Sequence, residues 1–201
     1  MKRAHRFLLL TLFFIGQLAA QQLVQSKEGI LPYNTIDTAV VNRTLNLGRE
    51  TLKKGKLDEA LVLALKGLQE ARQINYPVGM ARSYNMQANI LCRKGNYPEA
   101  VARIDTALAI EQRVADSTLQ PTSFMIAGNI QCYMGKYAKG MEYYFSGLAI
   151  EEKLKVQHYV HWFYSNIGNL YLDQKNYQKA LEYSLKALKG EIKAKDKEAL
   201  L

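Results

Sequence analysis

GKLDEA at residues 55–60 is followed by three related hexapeptides: GNYPEA at 95–100, GKYAKG at 135–140 and KNYQKA at 175–180. Their first residues, 55, 95, 135 and 175, are separated by a constant step of 40 residues. A constant period of this length is typical of proteins that stack copies of one supersecondary unit. The sequence therefore predicts a protein of four tandem repeats.

Small residues recur in the same phase on both sides of this hexapeptide. The upstream set is Gly48, Ala88, Gly128 and Gly168, and the downstream set is Gly67, Ala107, Gly147 and Ala187. Small side chains let two helices cross closely, and a glycine that opens the hexapeptide suits the left-handed end of a helix. Each unit is predicted to be a helix, a tight turn and a second helix, which makes the fold all-α. The predicted repeats span 38–77, 78–117, 118–157 and 158–197.

This pattern resembles the tetratricopeptide repeat (TPR) family over residues 38–195. Aromatic residues complete the resemblance: Tyr84, Phe124 and Tyr164 in the first helices, and Tyr97, Tyr137 and Tyr177 at the start of the second helices. The period exceeds the common TPR length of about 34 residues, and no proline ends the second helix. Both features are similar to the longer repeats of kinesin light chains and several bacterial regulators. The resemblance implies a right-handed solenoid of helical hairpins whose first helices line a concave, peptide-binding groove.

The first twenty residues form a separate segment. Lys2, Arg3 and Arg6 precede an apolar run over 7–15, which is followed by Gly16, Gln17, Leu18, Ala19 and Ala20. This order predicts a secretory signal peptide over 1–20, cleaved near Ala20, and a linker over 21–37. An uncleaved anchor is the alternative, although Gln17 interrupts the apolar run early. We therefore expect an exported protein, in the periplasm or at the cell surface.

The sequence contains few motifs that are typical of catalytic or metal-binding sites. His158 and His161 are three residues apart, but no third ligand is spaced to complete a zinc site. Cys92 and Cys132 occupy equivalent positions about 9 Å apart on stacked helices, too far for a disulfide, and are predicted to be free, half-buried thiols. Carboxylate pairs such as Glu151 and Glu152 are interpreted as ordinary surface pairs. We predict no enzyme activity, no cofactor and no metal.

A ladder of polar residues follows the upstream small residues by one position: Arg49, Asn89, Asn129 and Asn169. Asparagine is a poor residue inside a helix, and its amide can pair with the backbone of an extended peptide. The alternative is that these amides satisfy backbone groups between repeats. Further groove candidates in the same helices are Asn46, Asn85, Asn166, Lys53, Arg82, Arg93, Tyr133, Ser165 and Asp173. Their basic members favour an acidic ligand.

These patterns predict a protein–protein interaction module that binds a partner polypeptide in the groove. Because lysines and glutamates are interleaved along the helices, no nucleic-acid partner is expected. The alternative is the sensory N-terminal region of a larger membrane-bound signalling protein, such as a histidine kinase or a transcriptional regulator. Leu181, Leu185, Leu188 and Ile192 have no polar cap after them. Residues 198–201 are therefore expected to begin a truncated fifth repeat, and a membrane tether would lie in a missing C-terminal part.

Overall fold

The computed structural model describes residues 36–114, 118–156 and 158–198, with side chains up to residue 192. The predicted signal peptide, nearly all of the linker and residues 199–201 lie outside this range. Within it the chain forms eight helices and no strand, which confirms the all-α prediction. The helices are α1 (Thr38–Lys53), α2 (Leu57–Gln73), α3 (Pro77–Arg93), α4 (Tyr97–Val114), α5 (Gln120–Tyr133), α6 (Tyr137–Lys153), α7 (Val160–Asp173) and α8 (Tyr177–Glu198).

The helices pair as four hairpins, and the hairpins stack in chain order. Within the described residues, helices contact each other only inside one hairpin or between neighbouring hairpins. The first helices of neighbouring hairpins, such as α1 and α3, also contact each other directly. This is the solenoid arrangement that the repeat pattern predicts. None of the described helices is both long and apolar enough to cross a membrane.

The turn inside each hairpin depends on one residue with a positive φ. Gly55, Gly95 and Gly135 have φ values of 77°, 79° and 75°. Lys175 takes this place in the last hairpin, with a φ of 58°. The N–H of Gly95 donates to Cys92 O and the next N–H donates to Leu91 O, which closes the end of α3. The glycines that open the hexapeptide therefore end the first helices, as the sequence indicates.

The core lies where the two helices of a hairpin cross and where neighbouring hairpins meet. Ile90 and Ile130 are fully buried at equivalent positions of α3 and α5. Phe163, also fully buried, fills the space above Gly147, where an added Cβ would lie 2.1 Å from the ring atom Cζ. The in-phase small residues are thus the places where large side chains of a neighbouring helix enter. This packing fixes the first helices side by side on one face.

Candidate functional site: a groove along the first helices

A cavity of about 440 Å³ lies along the face formed by α1, α3 and α5. Its apolar wall includes Leu45, Leu52, Val78 and Ile126, and Tyr159 closes one side just before α7. Four of the predicted groove residues also line it: Arg49, Arg82, Asn85 and Asn89. Cavities of this size that combine apolar walls with polar groups are typical of sites that hold a ligand.

Two arginines that line the cavity share one asparagine partner. Arg82 donates from Nη1 to Asn42 Oδ1 at 2.6 Å and from Nη2 to Asn46 Oδ1 at 3.4 Å. Arg49 donates from Nη2 to the same Asn46 oxygen at 3.4 Å. Neither guanidinium forms an ion pair with a described residue, and none of the described residues that line the cavity is an aspartate or a glutamate. Arg49 and Arg82 therefore bring positive charge to the cavity, and their described hydrogen-bond partners are neutral amides.

The predicted groove asparagines fall into two groups: those whose side-chain amides bond to other described residues, and those whose amides do not. Asn85 is buried and donates to Ser123 Oγ at 2.7 Å and Glu111 Oε1 at 3.3 Å. Asn129 Oδ1 accepts from Tyr144 Oη at 2.7 Å and from Asn166 Nδ2 at 3.2 Å. These three amides, Asn85, Asn129 and Asn166, thus hold packed helices together.

Asn89 and Asn169, in contrast, have no hydrogen bond to any described residue. Asn89 is half-buried and lines the cavity, whereas Asn169 is exposed and does not. The ladder therefore contributes Arg49 and Asn89 to the cavity.

The remaining predicted groove residues lie away from the cavity. Lys53 forms an ion pair with Glu50 at 3.0 Å, and this hydrogen bond lowers the pKa of the Glu50 carboxyl. Arg93 donates from Nη1 to the backbone oxygen of Leu52 at 3.0 Å, at the end of α1. Tyr133 is exposed and stacks on Tyr97, with ring centroids 6.4 Å apart. Ser165 and Asp173 also lie outside the lining.

The sequence analysis did not predict that two carboxylates are buried between the repeats. Glu151 is 1% exposed, and its Oε2 accepts the N–H of Tyr159 at 3.0 Å. Glu111, one period earlier, is 0% exposed and accepts from Ser123 Oγ at 2.6 Å. The interpretation of Glu151 as a surface residue is therefore wrong, whereas Glu152 is exposed. The spacing of Glu111 and Glu151 equals the 40-residue repeat period, and it could have indicated that both take the same structural position.

These carboxylates position the groove. Each stands near the end of a second helix and accepts a hydrogen bond from the segment that follows: Glu151 from the backbone N–H of Tyr159, and Glu111 from the hydroxyl of Ser123 in α5. Because Tyr159 lines the cavity, the hydrogen bond from its N–H to Glu151 fixes one wall. Glu151 therefore links the third hairpin to a residue that lines the cavity.

Both cysteines are free, as predicted, although Cys92 is buried rather than half-buried. Burial raises the pKa of the Cys92 thiol to about 11 and also raises the pKa of Cys132. Both are thiols at neutral pH, and a thiol is a poor nucleophile. Among the described residues no three histidine, cysteine or carboxylate side chains are grouped to hold a metal ion.

One repeat of the chain matches a known protein-family profile. Residues 162–190 match the family profile described as Tetratricopeptide repeat. Curated protein sequences contain no match.

Solved structures extend the likeness along the chain. The apo form of RapI aligns with a TM-score of 0.66 and 20% identity, over 92% of this chain and 66% of RapI. BtubC (BKLC) from P. vanneervenii aligns with a TM-score of 0.58 and 23% identity, over 75% of this chain and 61% of BtubC. The chain thus spans somewhat less than two thirds of either protein.

A third structure is built from repeats of the same kind. The TPR-like repeats of a putative kinesin light chain from Podosopora anserina align with a TM-score of 0.57 and 17% identity, over 87% of this chain and 83% of theirs. At these identities the three structures show a shared fold. Together, the matched repeat and the aligned structures show that the chain resembles tetratricopeptide repeat proteins in one repeat of its sequence and in its helical-hairpin fold.

Proposed function

We propose that this chain is an interaction module that binds an extended segment of a partner polypeptide in the cavity along α1, α3 and α5. One observation carries the proposal: Arg49 and Arg82, which form no ion pair with any described residue, line the cavity together with apolar side chains and the amide of Asn89, which has no partner among the described residues. A carboxylate of the ligand would replace the weak contacts that both arginines make with Asn46. The proposed role is binding and not catalysis.

The cavity also suggests what such a segment contains. An acidic side chain fits between the two guanidinium groups, because charge-assisted hydrogen bonds from arginine to a carboxylate are strong. An aliphatic side chain fits against Leu45, Leu52 and Ile126. The amide of Asn89 can donate to a backbone carbonyl and accept from a backbone N–H. The preferred ligand is therefore an extended peptide with an acidic residue close to an aliphatic one.

Selection from a random-peptide phage library on the wild-type chain tests this proposal, followed by affinity measurements on variants. Arg49→Ala or Arg82→Ala is expected to raise the Kd of selected peptides by roughly tenfold or more, since a hydrogen bond to a charged group contributes about 1.5–3 kcal/mol. Asn89→Ala is expected to raise it severalfold without lowering the melting temperature. Higher salt should weaken wild-type binding more than binding to either arginine variant.

Matched variants make the test specific. Arg113→Ala removes an exposed arginine outside the cavity, and Asn169→Ala removes the unoccupied ladder amide that does not line it. Neither should change the Kd. Asn129→Ala should instead lower the melting temperature, because Tyr144 loses its acceptor. The proposal fails if no peptide is enriched whose binding depends on Arg49 and Arg82 more than on Arg113.

We further propose that the chain is exported and belongs to the long-repeat form of the family. The basic and apolar order of residues 1–20 supports export, and the uninterrupted 40-residue period supports the long-repeat form. In cell fractionation of a tagged chain, the exported fraction is expected to begin at Gln21, which N-terminal sequencing would show. Recovery only in the cytoplasm with Met1 retained would contradict export.

The sensory region of a larger membrane-bound signalling protein is the second candidate. The exposed apolar side chains of α8 favour it, because they mark a surface that another part of an assembly can cover. Recovery in the membrane fraction, through a tether encoded with this chain, would distinguish it from a free-standing binding module.

A further inference from the structure

Trp162, the only tryptophan in the sequence, lies near the start of α7 and is 55% exposed. Tryptophan is highly buried on average in folded proteins, and at interfaces it is among the residues that contribute most to binding. The ring of His161 lies beside it, with ring centroids 5.2 Å apart, yet more than half of the surface of Trp162 stays exposed. Trp162 is therefore a candidate for contact with a ligand.

The position of Trp162 in its repeat belongs to the groove. Arg82 and Thr122 are its equivalents in the two preceding repeats, and both line the cavity. Another hairpin follows each of them, so this position stays accessible within a longer row of repeats. Tyr159, which also lines the cavity, is three residues before Trp162, about one helical turn away. The indole therefore continues the groove from the cavity onto α7.

The charged residues of the first helices change from basic to acidic along the chain. The helix α5 contains no charged residue, and α7 contains no lysine or arginine and one carboxylate, Asp173. That carboxylate is exposed and forms no ion pair with a described residue. The basic residues of the first two of these helices are Arg43, Arg49 and Lys53 in α1, beside one glutamate, and Arg82 and Arg93 in α3. A complementary peptide has its acidic residue at α1 and α3 and a basic residue at α7.

The last hairpin shows how its aromatic rings receive cations. The Nζ atom of Lys179 lies 5.0 Å from the ring centroid of Tyr171, and that of Lys186 lies 4.6 Å from the ring centroid of Tyr183. Tryptophan attracts a cation more strongly than tyrosine does. However, no lysine or arginine among the described residues lies over Trp162. Its ring can therefore accept a cation from a ligand.

We propose that Trp162 binds an arginine or lysine side chain of the peptide whose acidic residue contacts Arg49 and Arg82. This inference rests on the proposed function, which supplies the peptide. The helices α3, α5 and α7 contact each other in turn. Because packed helices are 8–10 Å apart, Arg82 and Trp162 are separated by about 16–20 Å. An extended peptide rises about 3.3 Å per residue, so its basic and acidic residues are roughly five or six positions apart.

Fluorescence tests this contact directly, because Trp162 is the only tryptophan of the chain. The probe is the tightest-binding peptide without tryptophan from the phage selection on the full chain. We expect it to carry a basic residue at the stated spacing and to change the emission of Trp162. A copy with citrulline in place of arginine, or norleucine in place of lysine, lacks the charge. This copy should bind about three- to tenfold more weakly and change the emission less.

Variants of Trp162 identify the chemistry of the contact. Trp162→Ala should raise the Kd of the parent peptide by about three- to tenfold and should bind the parent and the neutral copy alike. Trp162→Phe should retain part of the affinity, whereas Trp162→Leu, which is apolar but has no aromatic face, should bind like the alanine variant. Phe145→Ala is the matched control, because it removes an exposed aromatic residue from the second helix α6 and should leave the Kd unchanged. Melting temperatures verify that each variant is folded.

The outcomes separate this inference from the proposed function. If peptide affinity depends on Arg49 and Arg82 but not on Trp162, only the inference is wrong. If Trp162→Leu binds as tightly as the wild-type chain, or the neutral copy as tightly as the parent peptide, the side chain at Trp162 is not held as a cation and the inference is again wrong. If the selection gives no peptide that depends on the two arginines, the proposed function and this inference both fail.

Discussion

Gly128→Leu is expected to lower the free energy of unfolding by about 3 kcal/mol or more, at the upper end of what overpacking costs. A Cβ at this position would lie 2.3 Å from Cε1 of Tyr144 and 3.1 Å from the backbone oxygen of Gly140. Tyr144 is 3% exposed and its hydroxyl bonds to Asn129, so the ring has no free space to enter. The two helices of the third hairpin would have to move apart. Urea denaturation measures the loss.

Alanine variants at Gly128 and Gly168 provide a matched control. At Gly168 an added Cβ meets only Ser184 Oγ at 3.2 Å and backbone atoms at 3.4 Å. Alanine is the better helix former by about 1 kcal/mol, which offsets this mild contact, so Gly168→Ala should be close to neutral. Gly128→Ala should still destabilise the chain because of Tyr144. Equal unfolding free energies for the two alanine variants would show that close helix crossing does not limit the third hairpin.

The second large effect is expected at Glu151, where alanine should lower the free energy of unfolding by about 2 kcal/mol. The change leaves the N–H of Tyr159 without its acceptor and opens space in a buried site. Glu151→Gln keeps an oxygen that can accept this N–H and should recover part of the loss. Chemical denaturation of the three proteins gives the comparison.

Glu152 is the matched control for Glu151. It is the adjacent residue of the same type, but it is exposed, so Glu152→Ala should change stability by less than about 0.5 kcal/mol. Because Tyr159 lines the cavity, Glu151→Ala should also weaken peptide binding, whereas Glu152→Ala should not. If the two alanine variants unfold alike, the N–H of Tyr159 finds another partner and the buried carboxylates do not fix the groove.

The fold could be predicted from the sequence because its determinants are local and repeated. A glycine that ends a first helix, a small residue at the helix crossing and an aromatic residue beside it are each weak signals alone. The small residue recurs in phase four times, and the glycine and the aromatic residue three times each, which distinguishes a repeat from an isolated match. The 40-residue step then determines which helices pair, since each repeat must bury its apolar face against a neighbour.

The site could be predicted only in part. The position of a residue within the repeat identifies the helix face on which it lies, but it does not identify the hydrogen-bond partner of each amide. Asn129 bonds to Tyr144, whereas the residue equivalent to Tyr144 is Ile104 in the second hairpin and Ser184 in the fourth. Asn89 and Asn169 therefore have no equivalent of the tyrosine hydroxyl that donates a hydrogen bond to Asn129. The ladder looks uniform in the sequence, yet one side chain on the facing helix decides which of its members a ligand can reach.

The neighbour-only contacts of the hairpins have a consequence for how the chain folds. No described helix contacts one beyond the adjacent hairpin, so every native contact closes a short segment of chain and loses little loop entropy. Proteins dominated by such local contacts reach the native state quickly. Folding can begin at any hairpin that forms early and spread to its neighbours in either direction.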